Sequence, residues 1–210
     1  MHLEICVEDT SGKILLDGLL ARLIRPDVTW KVHGYKGIGR VPRNLGNTNN
    51  ASRRIFLDNL PKLIRGCANT PYVTALIVVV DNDDRNCKEF LAELKSVHRA
   101  IAPQSNVIFR IAIEEMEAWL LGDPDALRAA FPNVREDLLA SYDQDTTCGT
   151  WEMLADVIHP GGSAALLQEG WPAPGEAKCR WATEVVPHLA VNDNASPSFR
   201  KFLEALAPYT

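Results

Sequence analysis

Long apolar runs are missing from this 210-residue chain: the longest, Ala75 to Val80, has six residues, against the ~20 that a membrane-crossing helix requires. A basic amino-terminal segment leading into an apolar one is also missing, because Glu4 and Glu8 interrupt the opening residues. No secretory signal is read. The five cysteines form no C-x-x-C pair, and the histidines are dispersed without helical ligand spacing. A disulfide framework and a cysteine-rich zinc site are therefore not expected, and a reducing cytoplasm is the expected location. Neither G-x-G-x-x-G nor a Walker loop occurs; Gly34, Gly37 and Gly39 beside Lys36 and Arg40 are a weak phosphate cradle at most. What is present is the composition of a globular protein, 46% hydrophobic and 23% charged, long enough to bury a core without staples.

Charge is unevenly distributed. From Arg22 to Arg65 ten basic residues face two acids, a balance of +8 that leaves −13 elsewhere in a total of −5. A basic face beside an acidic pocket suits a polyanion held through its phosphates. Lys36, Arg40, Arg43, Arg53 and Arg54 are the expected contacts to nucleic acid, DNA or RNA. A merely solvated basic surface is the plainer alternative.

The amino-terminal two-thirds alternates strand and helix. Leu3–Val7, Val28–His33, Tyr72–Val80 and Asn106–Ile113 read as strands. The Tyr72–Val80 segment, apolar without alternation, suggests a strand buried on both faces of a parallel sheet. Leu15 to Leu23 carries a helical stripe capped by Thr10 or Ser11. A second helix is expected near Ser52 to Ile64, starting before Pro61 or broken there. A third follows Asn86, with Phe90, Leu94, Val97 and Ile101 on one face and Glu89 completing the cap. The order predicts an α/β fold with a mainly parallel four-stranded sheet between helices. Beyond Glu114 helices are expected at Glu115–Leu121, Pro124–Phe131, Lys178–Leu189 and Ser198–Leu206, with loops over Ser141–Thr150 and His159–Gly175. His98 is read as a packing residue, and Trp151, Trp171 and Trp181 as core or interface residues and not base-stacking platforms.

Ligands of parallel sheets collect at the carboxyl ends of the strands, and two such ends carry acids: Val7-Glu8-Asp9 and Val80-Asp81-Asn82-Asp83-Asp84. Glu8, Asp81 and Asp83 can converge on a hard cation, Mg²⁺ or Mn²⁺, as one ion or a pair serving phosphoryl transfer. An Asx turn capping the next helix is the structural alternative. Glu117, one turn below Ile113, can add a ligand; it can equally be an acid of a helix's first turn.

Glu8 after the first strand, the Leu-rich helix, and Asp81-x-Asp83 after an apolar strand together resemble the Toprim domain shared by topoisomerases, primases and OLD-type nucleases. Cys87, Glu117-Ala118-Trp119-Leu120-Leu121 and Asn194-Ala195-Ser196-Pro197-Ser198-Phe199 are similar to one branch of Toprim-like proteins, domain-of-unknown-function family 4276. The resemblance spans nearly the whole chain. It implies a Toprim-like Rossmannoid core over residues 1–122 and a helical C-terminal extension over 123–210, packed as a single domain. It further implies Glu8 as general acid or base and Asp81 and Asp83 as metal ligands. Where Toprim domains commonly carry Gly after that Glu, this chain has Asp9. No tyrosine nucleophile is assignable, so the expectation is a metal-dependent nuclease. Members of the branch often accompany an ATPase in bacterial defence islands, which implies an ATPase partner and an anti-phage role. The competing readings are a receiver-like phosphoacceptor and a non-catalytic subunit that uses this fold to bind a partner ATPase; a homodimer of this chain is a further expectation. The receiver reading requires Ser or Thr at the end of the fourth strand and Lys at the end of a fifth.

Overall fold

A computed structural model describes residues 1–37, 39, 56–146 and 148–210. The predicted α/β architecture is present. Strands β1 (His2–Val7), β2 (Thr29–Gly34), β3 (Ala75–Asp81) and β4 (Val107–Ala112) form one sheet in the order β2-β1-β3-β4. Every neighbouring pair is parallel, with Val7 opposite Val79 and Asp81 opposite Ala112. Helices α1 (Thr10–Leu23), α2 (Phe56–Ala68) and α3 (Cys87–Ile101) connect the strands.

β3 shows why a run without alternation was readable as a central strand. Ala75, Ile77 and Val79 enter one apolar core, while Leu76, Val78 and Val80 enter the other. The first core packs the sheet against α1 and the C-terminal helices, and the second packs it against α2 and α3. Residues 123–210 therefore cover one face of the sheet, and Trp181, Phe199 and Phe202 are fully buried in the same core as Leu3 and Ile5.

Local details depart from the sequence reading in ways that have physical causes. The cap of α1 is Asp9, not Thr10 or Ser11: its carboxylate accepts the Gly12 N–H at 2.7 Å and the Ser11 hydroxyl at 2.8 Å. Gly12 lets this turn close on β1, because a Cβ there would come within 2.7 Å of the Val7 methyl. Pro61 lies inside α2 without ending it. Three further helices, α6 (Glu136–Ser141), α7 (Thr150–Ile158) and α8 (Gly162–Glu169), occupy segments without a predicted helix. The last of these replaces part of the loop expected over His159–Gly175. α7 and α8 begin at Gly149 and Gly161 in the left-handed conformation, so glycines that read as loop punctuation are helix-start residues here. The remaining helices, α4 (Glu117–Leu121), α5 (Pro124–Ala130), α9 (Ala173–Val185) and α10 (Pro197–Leu206), fall where helices were expected, with shifted ends. Trp181 and the half-buried Trp151 pack in the core, whereas Trp171 is exposed. His98 is a packing residue, bonded to the Ser105 carbonyl at 3.0 Å. No helix among the described residues is long and apolar enough to cross a membrane.

Candidate metal centre at the strand carboxyl ends

The chain leaves β1 toward β2 on one side and later returns to place β3 on the other. The crevice of such a reversal lies between β1 and β3, where open parallel sheets bind their ligands. Glu8 follows β1 at this point and Asp81 ends β3. Asp81 continues the row Ala75, Ile77, Val79, so it belongs to the face covered by α1, α4 and α9.

The turn after β3 separates its acids from its capping residues. Asn82 donates to the Arg85 carbonyl at 2.6 Å, and Asn86 caps α3 by accepting the N–H groups of Lys88 and Glu89. The asparagines thus perform the structural work, and neither Asp81 nor Asp83 is needed for it. Asp83 sits at the rim in the left-handed region, φ 49°, with Arg85 at 4.0 Å.

Buried oxygens without partners mark the pocket. Glu8 Oε2 and Asp81 Oδ1 have no hydrogen-bond partner despite their burial, a state that few native groups tolerate. Burial pushes the Glu8 carboxyl up to about 7, helped by the charges of Asp83 and Asp9. Burial also raises Asp81 well above the usual carboxylate range, with Glu8 the next cause and Glu117 after it. Asp83 is raised by partial burial, against the pull of Arg85.

One cation enters the cluster, and the sequence reading missed it. Lys178 of α9 places Nζ 3.2 Å from Glu117 Oε1 and 3.7 Å from Glu115 Oε1. Burial acts to lower its ammonium, but the carboxylates, Glu117 first, outweigh burial and hold it above the ordinary lysine range. Its field also reaches Glu8, Asp81 and Asp83. A signal for it existed in the sequence: Pro174, Ala177, Trp181, Ala182 and Val185 form the buried stripe of α9, and Lys178 stands on that stripe at helical spacing. A charged residue there requires a buried partner.

The third acidic group divides into different tasks. Glu114 accepts the N–H groups of Gly149 and Thr150 at 2.9 Å each, together with the Thr150 hydroxyl, and so anchors the start of α7. Glu115 shares its carboxylate between the Trp151 N–H, at 3.0 Å, and Lys178; burial and the Glu117 charge push it up to about 8. Glu114→Ala is expected to lower unfolding stability by about 3 kcal/mol, since several charge-assisted bonds and a cap vanish together. Chemical denaturation measures this, and an unchanged midpoint would refute the anchoring role.

Of the expected ligands, Glu8 and Asp81 meet at the crevice, Asp83 borders it, and Glu117 is turned to Lys178. Among the described residues no three His, Cys, Asp or Glu side chains form a ready-made ligand cluster. Lys36 is exposed beside the crevice, where the neighbouring Gly37 N–H reaches the Glu8 carbonyl at 3.3 Å. Arg40, Arg43, Arg53 and Arg54 lie outside the described residues. The two segments that carried the family resemblance bind each other: Trp119 donates Nε1–H to Ser198 Oγ at 3.0 Å, and Asn194 donates to the Trp119 carbonyl at 2.7 Å. Trp119 also stacks on Phe202, with ring centroids 5.1 Å apart. These motifs fasten α10 to α4.

Fold and site together define a parallel α/β protein with an acidic crevice at its topological switch point. The chain belongs to the family described as domain of unknown function DUF4276, which matches residues 7–207. Comparison with curated proteins and with solved structures found no match.

Proposed function

We propose that this protein hydrolyses nucleic-acid phosphodiesters with the help of a divalent cation, on a Toprim-like core. The observation that carries this reading is the pair of buried, unpartnered oxygens, Glu8 Oε2 and Asp81 Oδ1, on adjacent strand ends. The donor set fits Mg²⁺ or Mn²⁺. Such ions keep several waters and need only one or two carboxylates, the other positions being open to phosphate oxygens. Among the described residues, Lys178 and, at the rim, Arg85 face the six acids Glu8, Asp9, Asp81, Asp83, Glu115 and Glu117, so these side chains carry fewer cations than acids. When bound, the ion supplies Lewis-acid charge for phosphodiester cleavage.

The chain's own residues supply the rest. With its carboxyl at about 7, Glu8 can hold or release a proton at neutral pH, the property of a general acid or base. Lys178 balances Glu115 and Glu117 and so keeps α4 and α9 together beneath Asp81. Lys36, exposed beside the crevice, holds a backbone phosphate there. The receiver-like alternative is disfavoured: Ala112 ends β4, Ile113 and Glu114 follow it, and no fifth strand occurs among the described residues.

Cleavage of labelled DNA and RNA with Mg²⁺ or Mn²⁺ tests the proposal. Glu8→Gln and Asp81→Asn are expected to lower the rate about a hundredfold or more, the first by removing the acid or base and the second by removing a ligand, a larger effect than losing a supporting group. Cleavage untouched by both substitutions would refute it.

A further inference from the structure

Away from the crevice, the strand order leaves β4 at one end of the sheet. We propose that the open edge of β4 docks an extended acidic segment of a partner protein, which adds to the sheet as a fifth strand. This proposal does not depend on the hydrolytic one.

The backbone alternation of β4 supports it. The Asn106 carbonyl accepts the Leu76 N–H at 3.0 Å, and the Ala112 carbonyl accepts the Asn82 N–H at 3.0 Å. Even-numbered residues therefore face β3, and Val107, Phe109 and Ile111 turn their N–H and C=O groups outward. The next odd residue follows the rule, since Ile113 points its N–H at Ser198 Oγ, 3.5 Å away. Among the described residues, the Phe109 carbonyl alone of these outward groups has a partner, Arg110 Nη1 at 2.8 Å. Donors and acceptors remain in the two-residue repeat that a peptide strand matches. A phosphodiester backbone, offering acceptors without that alternation, matches it poorly.

Two adjoining cavities run along this edge, of about 440 Å³ and 320 Å³, and both are lined by Leu91, Phe109 and Arg110. α3 walls both of them, and α10 walls the smaller one through Pro197, Ser198 and Lys201. Odd side chains of β4 belong to the α3 side, where Phe109 and Ile111 are apolar. Arg110 turns to the α10 side, donating to the Lys201 carbonyl at 2.6 Å. Lys95, Arg99, Arg110 and Lys201 line the groove with positive charge. Among the described residues the one acid lining it, Asp145, is occupied by hydrogen bonds from Ser196 and Ser198, while Lys201 also holds Glu204. An incoming strand that alternates apolar and acidic residues satisfies both walls. A second copy of this chain would bring the same positive edge against its own, so charge selects an acidic partner. Arg110 across the edge is the kind of device that prevents indiscriminate strand pairing.

The test uses the full chain and a labelled ten-residue peptide alternating valine and glutamate. Controls are a peptide of the same composition with its glutamates in one block and a single-stranded oligothymidylate. Saturable binding of the alternating peptide is expected, weakening as salt rises, with slowed amide exchange at Val107, Phe109 and Ile111. Val107→Pro removes an outward N–H at a strand start, where proline is tolerated, and is expected to weaken binding about fivefold, one hydrogen bond's share. The Lys95→Glu and Lys201→Glu pair is expected to weaken it about tenfold. Should Val107→Pro not fold, amide protection in the unaltered protein decides. The proposal is overturned if the blocked peptide binds equally well, or if binding leaves those three amides unprotected. It is also overturned if the oligothymidylate protects them and the peptide does not.

Discussion

Lys178→Met should destabilise the protein by about 3–5 kcal/mol at pH 8, the usual consequence of removing one partner from a buried charge cluster. Methionine keeps most of the stem's packing in α9, so the loss measures the ammonium. Without it, Glu115 and Glu117 remain buried with no opposing charge, beside an already raised Asp81. The loss should shrink at pH 5, where these carboxyls take up protons instead. Urea unfolding at both pH values checks this. Equal loss at pH 5 and pH 8 would mean that packing, and not charge, accounts for Lys178.

The pH dependence of stability is the second large expected effect. Glu8 rises from 4.5 in the unfolded chain to about 7 in the fold, chiefly through burial. The folded state therefore binds more protons than the unfolded state across this window. The sign follows: the contribution is complete below about 4.5 and is lost as pH rises through about 7, amounting to about 3 kcal/mol for a shift of this size. Glu8→Gln removes the titrating group, so its stability should stay flatter across the window and exceed that of the unaltered protein at pH 8. A variant that loses cleavage yet gains stability is the signature of a site held under electrostatic strain for function. Mg²⁺ at pH 8 should raise the melting temperature of the unaltered protein by mass action and leave Glu8→Gln and Asp81→Asn unmoved. An identical response in all three would remove the cation from Glu8 and Asp81.

Much of the framework is legible in the primary sequence because its signals are local. Six consecutive apolar residues, Ala75–Val80, admit burial on both faces, and Asn86 with Glu89 marks the start of α3. The placement of Glu8 and Asp81 at strand ends is legible for a similar reason: acids at the close of buried strands emerge at a sheet edge. The helices α6, α7 and α8 were less visible. They are short, and α7 and α8 start at left-handed glycines that also mark loops. Intrinsic propensity decides little in helices of this length, whose stability comes from packing.

The sequence by itself determined the strand–helix order, the two-faced burial of β3 and the presence of acids at two strand ends. Patterning along a chain obeys the periods of its own secondary structure, and such information needs no distant partner. Tertiary structure alone decided which acids stay unsatisfied. It spends Asp9 on a helix cap and Glu114 on the start of α7, and gives Glu117 the ammonium of a residue 61 positions away. Glu8 and Asp81 keep a bare oxygen each. Whether a carboxylate is free or committed depends on what packing brings within about 3 Å of it, and that distance is set by the fold.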